Sequence, residues 1–392
     1  MILDKTFPPD PRVENEAISL IKHGHEVFLF CLMYSNEKEN EQINGIQIKR
    51  YRSNKVIYKL SALVYTIPFY TYVMSKKVSH FLVSNNIEVV HIHDIQIAGA
   101  VLKTVKINKV KTVLDLHENR PEIMKFYPHL TAFPGKQLIS PKKWKQKEEE
   151  FIARADKVIV VTKESKNEII KRTNKLSNNI VVVPNTVHRS YYFNALIDNE
   201  IIKRYSSNFV LLYVGDTGLR RGLITAIQSI SILKDVIKNI KLVVVGSNSS
   251  DEVLKEEVQN LGLQSYVNFE GWKNERIFPS YIKSSSVCIS PLHRNLHHDT
   301  TYANKLFQYM SFSKPVLVSN ATAQKNLIEK TKSGLVHLEK NPQDFANKVL
   351  ELFNNKELRE TLGENGKRFV EEEFSWEKTS EKLIDLYTSL ST

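Results

Sequence analysis

The chain has 392 residues, of which 42% are hydrophobic and 25% charged, and its formal net charge is +12. This composition excludes a disordered chain, and the length suits about two domains. Cys31 and Cys288 both lie in apolar runs, so we expect no disulfide framework and a reducing compartment. No groove-reading or base-stacking motif accompanies the positive charge, so we expect no nucleic-acid partner.

Apolar β-branched runs alternate with helix-like segments through the first half of the chain. Met1 to Leu3 are followed by charges and prolines rather than by the apolar stretch of a secretory signal, which favours the cytoplasm. A helical pattern then closes at Gly24. Buried parallel strands are predicted at 26–32, 87–93, 111–117, 157–162 and 180–185, and residues 45–51 alternate more openly.

A basic segment interrupts this series at residues 42–87, where no Asp or Glu occurs. Residues 56–74 within it are strongly apolar, but Lys59 and Pro68 argue against a membrane span. Two interpretations stay open: a core helix with lysines at its ends, or a basic and apolar surface that rests on an anionic bilayer. The basic residues are Lys49, Arg50, Arg52, Lys55, Lys59, Lys76 and Lys77.

Ionisable side chains follow two of the predicted strands, and the carboxyl ends of parallel strands are where such folds bind ligands. These groups could exchange protons with a substrate hydroxyl, hold a metal, or serve as structural hydrogen-bond partners. Their spacing is unlike a helical ligand pair and no cysteine joins them, so we predict no metal site. The cluster comprises His91, His93, Asp94, Asp115, His117 and Glu118.

A second β/α series begins after a polar, tyrosine-bearing stretch at 189–208. Two such series predict an α/β chain of two doubly wound, Rossmann-like domains that face a cleft. We place the first domain at 1–190, the second at 205–368, and C-terminal helices that pack back on the first domain at 369–392. The strands of the second series are predicted at 209–215, 241–246, 266–271, 287–292 and 315–319.

The loop "GDTGLRRG", residues 215–222, follows the first strand of the second series and precedes a helix. Gly218 permits close backbone approach, and Arg220 and Arg221 bring positive charge to a helix start, which suits a diphosphate. The loop lacks the Gly-Lys-Ser/Thr of a P-loop and the pattern of a dinucleotide fingerprint. A solvated turn is the alternative.

Residues 300–320, "TTYANKLFQYMSFSKPVLVSN", predict a short buried helix over 303–311, then a turn and a buried strand. Lys305 and Gln308 lie about one turn apart and could face a solvent cleft together. The start of such a helix is also where an anion would sit. Neither an Asp-x-Asp motif nor a Gly-x-Ser-x-Gly elbow occurs in the chain.

These features together resemble the retaining GT-B glycosyltransferases of family 4, and the resemblance covers nearly the whole chain. It implies the GT-B fold, a nucleotide-diphospho-sugar donor in the second domain, and a glycan or lipid-linked acceptor against the first. The matching segments, in the family's order, are "FPPDPRVENEAISLIKHGHEV" (7–27), "VVHIHD" (89–94), "DLHENRPE" (115–122), "VVVPNTV" (181–187), "YVGDTGLRRG" (213–222) and "KLFQYMSFSKPVLVS" (305–319).

The resemblance also implies roles for individual residues. Arg221 would balance charge on the departing diphosphate, and His117 would contact the sugar. On the acceptor side it implies His93, Asp94 and Glu118. On the donor side it implies the amides of Thr301, Tyr302 and Ala303 at a helix start, together with Lys305, Gln308, Gly218, Arg220 and, beside the base, Trp272.

The implied reaction retains the anomeric configuration and uses the donor phosphate to receive the acceptor proton. It therefore needs no protein base, no metal and no other cofactor. We expect a hexosyltransferase-type enzyme of surface polysaccharide or glycoconjugate synthesis. We expect it in the cytoplasm, peripheral on the inner face of the cell membrane through residues 42–87.

Four positions depart from the family's pattern, and the first is Thr186, which replaces the glycine of the Pro-Asn-Gly segment. Thr300 and Gln308 stand where the family carries two glutamates, the second of which holds the donor ribose, and Asp216 stands where an arginine is common. A neutral amide accepts hydrogen bonds less strongly than a carboxylate, and Asp216 weakens the positive field. The alternatives are therefore a degenerate, non-catalytic homologue that acts as a binding partner, and a sugar-nucleotide epimerase on the same fold.

Overall fold

The structure, a computed structural model, describes residues 1–108, 110–127, 130, 133 and 135–391, so Thr392 of the predicted C-terminal segment lies outside it. The chain divides into two compact units. Unit 1 contains Met1–Pro184 and the residues from Ser380 onward, and unit 2 contains Asn185–Thr379. Each unit is an α/β domain with mainly parallel strands, which confirms the predicted Rossmann-like class.

The strands of unit 1 form two sheets that residue Ile2 joins. β1, β3 and β2 lie side by side in that order, and β4 to β7 follow one another, with every pair parallel except β2 and β3. Ile2 bridges β1 and β4: its amide donates to the carbonyl of His91 at 2.8 Å. The strands are β1 (Phe28–Met33), β2 (Asn40–Ile43), β3 (Ile46–Arg52), β4 (Val89–His93), β5 (Lys111–Leu116), β6 (Lys157–Val160) and β7 (Ile180–Val182).

The helices of unit 1 pack on these sheets around a core that includes Phe30, Phe81 and Ile92. The first helix starts at Pro11, where a missing N–H is tolerated, and Asp10 caps it by accepting from the amide of Val13 at 3.2 Å. The helices in the described residues of this unit are α1 (Pro11–Lys22), α2 (Lys55–Ser61), α3 (Phe69–Ser84), α4 (Ile95–Asn108), α5 (Arg120–Met124), α6 (Gly135–Leu138), α7 (Pro141–Arg154) and α8 (Lys163–Arg172).

The apolar segment 56–74 is divided between two helices. α2 ends at Ser61 and α3 begins at Phe69. Tyr70 and Met74 of α3 are buried in the core, as the core-helix interpretation expects, whereas much of α2 is exposed. Within the described residues, no helix combines the length and apolarity that crossing a bilayer requires.

The strands of unit 2 form one six-stranded parallel sheet in the described residues, in the order β10-β9-β8-β11-β12-β13. β8 is buried along its whole length because helices cover both faces, which explains its unbroken apolar sequence. The strands are β8 (Phe209–Val214), β9 (Ile240–Val245), β10 (Val267–Gly271), β11 (Val287–Ser290), β12 (Val316–Ser319) and β13 (Gly334–His337).

Helices cover both faces of this sheet, and a hydrophobic core lies on each face. One core includes Tyr213 and Ile230, and the other includes Val214 and Phe307. The helices are α9 (Arg189–Phe193), α10 (Asn199–Tyr205), α11 (Leu223–Leu233), α12 (Asp251–Asn260), α13 (Phe278–Ser284), α14 (Leu296–Thr300), α15 (Lys305–Ser311), α16 (Thr322–Thr331), α17 (Pro342–Asn354), α18 (Lys356–Glu372) and α19 (Trp376–Thr379).

The C-terminal helix α20 (Glu381–Ser391) returns to unit 1, where it packs on α1 and β7. Leu383 is buried there, and the hydroxyl of Tyr387 lies 2.9 Å from Nδ1 of His91. The predicted segment starts earlier, at residue 369. Phe369 instead belongs to α18 and packs in a core of unit 2, so the segment that joins unit 1 starts at Ser380.

The predicted strands are all present, with small differences at their ends. β2 and β13 were not predicted. β2 is a polar antiparallel edge strand, and β13 is an edge strand that is only partly buried, so neither has the long apolar run by which the other strands were recognised.

Candidate functional site

The loops that follow β8 and β11 meet where the strand order of unit 2 reverses. β9 and β10 lie on one side of β8 and β11 to β13 lie on the other, and ligands of such sheets bind outside the carboxyl ends of the strands at this point. Gly222 in the loop after β8 has φ of 77°, and a Cβ there would lie 1.8 Å from the carbonyl oxygen of Pro291. Only glycine permits this approach of the two loops.

The carboxylate of Asp216 contacts the polar groups in and beside the loop 215–222. Its Oδ1 accepts from the amide of Gly218 at 3.2 Å and from Asn248 at 2.6 Å. Its Oδ2 accepts from Nε of Arg221 at 3.0 Å and lies 3.5 Å from Nη2 of Arg220. Burial would raise the pKa of Asp216, but Arg221 and these hydrogen bonds outweigh burial and lower it. Asp216 is therefore the counter-ion of the arginine predicted to face the diphosphate.

Lys305 lies beneath the same loop. It is the first residue of α15, and its Nζ lies 3.3 Å from the ring centroid of Tyr213. A Cβ on Gly215 would lie 3.5 Å from this Nζ. Nζ is buried and makes no hydrogen bond within the described part of the chain. Burial, and then Arg221, lowers the pKa of Lys305 well below its usual range, which disfavours the charged form. A bound anion close to Nζ would raise this pKa again and favour the charged form.

Arg220 contacts His298, which is buried in α14, whereas the sequence predicts that the pair His297 and His298 is solvated in a loop. Its Nη1 lies 3.0 Å from Nε2 of His298 in α14, and Nδ1 of His298 lies 2.7 Å from the carbonyl oxygen of His293. Burial is the largest cause that lowers the pKa of His298, to about 4, so the ring is neutral at physiological pH. The neutral His298 ring donates from Nδ1 to the His293 carbonyl and accepts from Arg220 at Nε2. This contact fixes the orientation of the Arg220 guanidinium.

The remaining donor-side residues occupy separate positions. Residues 301–303 form a link between α14 and α15, so they precede the helix that starts at Lys305 instead of forming its first turn. Gln308 is half-buried in α15, and Trp272, which follows β10, is 74% exposed. The structure thus brings Gly218, Arg220, Arg221 and Lys305 together, and no hydrogen bond of the described residues joins Gln308 or Trp272 to them.

Asp115 is the centre of a buried network in unit 1. Its two oxygens accept from Nε and Nη2 of Arg12, each at 2.8 Å. Arg12 also lies 3.0 Å from Glu16, one turn along α1, and donates to the carbonyl of Val183 at 3.2 Å. Burial would raise the pKa of Asp115, but Arg12 and then His117 outweigh burial and hold it well below its usual range.

This carboxylate holds His117, the predicted catalytic histidine. Nε2 of His117 lies 2.9 Å from Oδ2 of Asp115 and 3.1 Å from Nδ1 of His93. Burial would lower the pKa of His117, but Asp115 outweighs burial and raises it to about 9. Burial lowers the pKa of His93 well below its usual range. At neutral pH His117 is therefore an imidazolium that donates hydrogen bonds and does not serve as a base.

The predicted acceptor-side carboxylates lie beside this pair. Oδ2 of Asp94 lies 4.0 Å from Nδ1 of His117 and 3.8 Å from Nη1 of Arg120. Glu118 is half-buried, and burial, followed by Asp94, raises its pKa. The structure thus brings His93, Asp94 and His117 into one cluster, with Glu118 next along the chain.

Four buried groups of this network are arranged closely enough to raise the question of a metal. Ligand atoms of Glu16, His91, His93 and Asp115 all lie within 4.8 Å of one another. They fit an ion poorly, because the Arg12 guanidinium already binds both oxygens of Asp115 and pairs with Glu16. A metal cation would be repelled by that guanidinium at close range. The arrangement is an ion-pair network that holds the histidines in place.

Arg12, Tyr213 and His298 contact predicted site residues, yet sequence reasoning missed them. Arg12 and Asp115 are 103 positions apart, and Arg220 and His298 are 78 apart, so no local pattern links them. The available signal for Arg12 was an opposite charge one turn later, at Glu16, beside the apolar face of α1.

Two family models match the chain, one for most of each unit. The model described as Glycosyltransferase Family 4 matches residues 12–191, and the model described as Glycosyl transferases group 1 matches residues 197–369.

Two curated relatives are glycosyltransferases of 26% identity. An uncharacterized glycosyltransferase of Methanocaldococcus jannaschii aligns over 383 residues, which cover 95% of this chain and 93% of that protein. The capsular polysaccharide biosynthesis glycosyltransferase CapM of Staphylococcus aureus aligns over 241 residues, which cover 60% of this chain and 62% of that protein.

Solved structures share the fold over nearly the whole chain. A glycosyltransferase of Rickettsia africae superposes with a TM-score of 0.77 at 16% identity, covering 100% of this chain and 97% of that one. HepE of Anabaena in complex with UDP superposes with a TM-score of 0.73 at 14% identity, covering 99% of both chains. At such identities the likeness establishes the fold alone.

Proposed function

We propose that this chain, which belongs to the family 4 glycosyltransferases and has the GT-B fold, transfers a sugar from a nucleotide-diphospho-sugar. The acceptor is a glycan or a lipid-linked glycan, and the anomeric configuration is retained. Unit 2 binds the donor, and unit 1 supplies the groups that contact the acceptor. Neither an epimerase nor a degenerate homologue is favoured by the relatives, which carry glycosyltransferase names.

The cation set of unit 2 carries this proposal. Arg220, Arg221 and Lys305 converge at the strand-order reversal, which is the ligand-binding position of such a sheet. Lys305 is the strongest element, because its buried Nζ makes no hydrogen bond within the described residues. A diphosphate would supply the missing acceptors and the missing charge.

Bond breaking between the sugar and the diphosphate places negative charge on the leaving group. Fixed cations in a partly buried site stabilise that charge more than they stabilise the bound donor. Arg221 can act in this way only after exchanging the Asp216 carboxylate, 3.0 Å away, for a phosphate oxygen. Asp216 keeps the amide of Gly218 and the side chain of Asn248 as partners after that exchange.

His117 is proposed to orient the transferred sugar by donating a hydrogen bond. Its imidazolium state, set by Asp115, makes it unsuited to remove a proton from the acceptor. A donor phosphate oxygen is the proposed proton acceptor, which is consistent with retention. His93, Asp94 and Glu118 are proposed to contact the acceptor.

The finer donor contacts are also proposals. Gln308 is assigned to the ribose, Trp272 to the base, and the amides of residues 301–303 to the phosphates. HepE was solved with UDP and with UDP-glucose, which supports testing uridine nucleotides first. Because cationic side chains supply the charge that a divalent ion would otherwise supply, we propose that the reaction needs no metal.

The proposed setting is surface polysaccharide or glycoconjugate synthesis, on the cytoplasmic side of the cell membrane. The name of CapM supports a polysaccharide product. The acid-free segment 42–87 supports a peripheral position at an anionic bilayer.

The proposal is tested with a panel of nucleotide sugars and Arg221→Ala. We expect at least one donor to be turned over by the wild type. Loss of one electrostatic donor should then lower kcat by about 30- to 1000-fold, which corresponds to about 2–4 kcal/mol. Arg368→Ala, an exposed position of α18, is the matched control and should retain full activity.

An activity loss below threefold in Arg221→Ala would contradict the diphosphate role. Nucleotide binding in calorimetry without turnover of any donor would favour the non-catalytic homologue. Interconversion of free nucleotide sugars without an acceptor would identify the epimerase.

A further inference from the structure

A second basic segment of unit 1 lies against the first. Residues 123–147 contain no Asp or Glu, like residues 42–87. The hydroxyl of Thr66 donates to the carbonyl of Leu138 at 2.7 Å, and the ring of Tyr65 packs on Trp144 with centroids 4.8 Å apart. The two acid-free segments therefore meet on one side of unit 1. The lysines of the second segment are Lys125, Lys136, Lys142, Lys143, Lys145 and Lys147.

Large apolar side chains are exposed along the first segment. The exposed fractions lie between 43% and 65% at five positions of α2, the turn after it and the start of α3. Leu138 of α6, beside Thr66, is 43% exposed. So many large apolar groups in a short stretch indicate an interaction surface rather than scattered exposure. The five positions are Val56, Tyr58, Ile67, Phe69 and Tyr72.

Exposed lysines accompany these apolar groups. Lys55 and Lys59 are exposed in α2, and Lys136, Lys142 and Lys143 are exposed in the second segment. None of the five forms an ion pair with a described residue. Of the acidic groups directly beside the two segments, Glu41 pairs with Arg50, Glu122 with Lys125 and Glu148 with Arg172, whereas Glu88 is exposed. Glu37 and Glu39 lie before β2, outside both segments.

We infer that α2, the turn at 62–68, the start of α3 and α6 form one surface that binds the headgroups of anionic phospholipids. Ile67, Phe69 and Leu138 enter the interface between headgroups and acyl chains. The inference deepens the proposed function, because it names the groups that would hold the enzyme at the membrane. Lysine is depleted in protein–protein interfaces, whereas apolar side chains ringed by lysine are typical of helices that lie on anionic bilayers.

Binding to such a surface combines two contributions. Each lysine near the headgroups strengthens partitioning by about fivefold at low salt, and this part is screened as salt rises. The apolar groups contribute by leaving water and are insensitive to screening. Neither contribution alone gives stable attachment, so we expect reversible, salt-dependent binding.

Flotation of the full-length chain tests the inference. The probes are vesicles of phosphatidylcholine, with and without phosphatidylglycerol, at low and high salt. Wild type should float with the anionic vesicles at low salt and be released at high salt. Lys55→Gln with Lys59→Gln should weaken binding by about 30-fold. Ile67→Ser with Phe69→Ser should weaken it by at least a similar factor.

Matched controls use exposed residues elsewhere. Val236→Ser with Val253→Ser replaces exposed valines of unit 2, and Lys171→Gln with Lys238→Gln replaces exposed lysines outside the surface. Both should float like wild type. Circular dichroism of each variant establishes that loss of binding is not loss of fold.

The inference is wrong if wild type fails to float at any salt, or if the surface variants float like the controls. Self-association that Ile67→Ser with Phe69→Ser abolishes, without flotation, would identify a second copy as the occupant instead. Binding of UDP and of the other common nucleoside diphosphates is measured by calorimetry on the same samples. If flotation behaves as expected but no nucleotide binds, the membrane-binding surface is supported and the proposed function is refuted.

Discussion

Two aspartates set the electrostatic environment of the residues that the sequence singled out. In unit 1, Asp115 keeps a proton on His117, so a histidine that invites a general-base role becomes a hydrogen-bond donor. In unit 2, Asp216 pairs with Arg221 and reduces the charge that a diphosphate would meet. The function of each cation therefore depends on its carboxylate partner.

Asp216→Asn should tighten binding of UDP. The variant removes the competitor for Arg221, while an amide oxygen still accepts from the amide of Gly218. Because the pair is partly exposed, we expect calorimetry to show only a modest fall in the Kd for UDP, by about two- to tenfold.

Asp235→Asn is the control for this change. It removes an exposed carboxylate of unit 2, in the turn after α11, and should leave the Kd unchanged. Weaker binding in Asp216→Asn would mean that the carboxylate organises the loop more than it competes with the ligand.

His117 should make stability depend on pH in the neutral to alkaline range. Its pKa in the folded chain is raised to about 9 from a usual value near 6.5. The folded state therefore holds the proton more tightly, and this contribution is complete below about pH 6.5 and lost as pH rises through 9. We expect the free energy of unfolding to fall across this range by up to about 3 kcal/mol.

His117→Asn removes this titration while leaving the Arg12–Asp115 pair in place. The pH slope of the variant should be shallower between pH 7 and 9, and NMR should show the wild-type imidazole titrating near pH 9. His80→Asn, an exposed position of α3, should keep the wild-type slope. Equal slopes in His117→Asn and wild type would contradict the Asp115 interaction. Burial also raises the pKa of Glu16, from 4.5 to about 8. In all three proteins this group therefore adds a further fall in the free energy of unfolding as pH rises toward 8.

At the level of elements, α15 owes its position to α18. The two helices pack together, and Gly363 of α18 lies against the turn that follows α15. A Cβ on Gly363 would lie 2.1 Å from the carbonyl oxygen of Ser313. This contact locates the helix that begins with Lys305, so a distant glycine helps to place a site residue.

Gly363→Ala should destabilise unit 2. Overpacking against backbone costs about 1–3 kcal/mol, more than the helix propensity that alanine adds. We expect a net loss of about 1–2 kcal/mol in the free energy of unfolding, measured with denaturant. Glu364→Ala, the exposed neighbour, should change it by less than about 0.5 kcal/mol. Equal stability of the two variants would mean that the turn at Ser313 yields without strain.

For the whole molecule, nucleotide binding should stabilise unit 2. A ligand present at about 100 times its Kd adds about 2.7 kcal/mol to the folded state. For a domain of this size the midpoint should rise by about 5–10 °C in scanning calorimetry. Where two transitions are resolved, Gly363→Ala identifies the one that belongs to unit 2.

Uridine is the control for UDP, because it lacks the phosphates that Arg220, Arg221 and Lys305 would bind. It should produce a much smaller shift. Absence of a shift with the diphosphates of every common nucleoside would contradict a donor site at the strand-order reversal.

The sequence by itself determined the β/α architecture, the carboxyl-edge position of the candidate site loops and the likeness to the family. These follow from local patterns: unbroken apolar runs mark buried parallel strands, and the motifs that match the family are contiguous segments. The prediction that Arg220, Arg221 and Lys305 bind one diphosphate rests on two local features as well, the glycine-containing loop before a helix and the helix start at Lys305.

Only the tertiary structure decided which charges meet. Arg12 with Asp115, and Lys305 over Tyr213, join positions far apart in the chain, and the protonation of His117 follows from one such contact. The two acid-free segments are likewise joined only in the folded unit. Periodicity records the burial of each segment, whereas the electrostatic environment of a side chain depends on the neighbours that the topology brings to it.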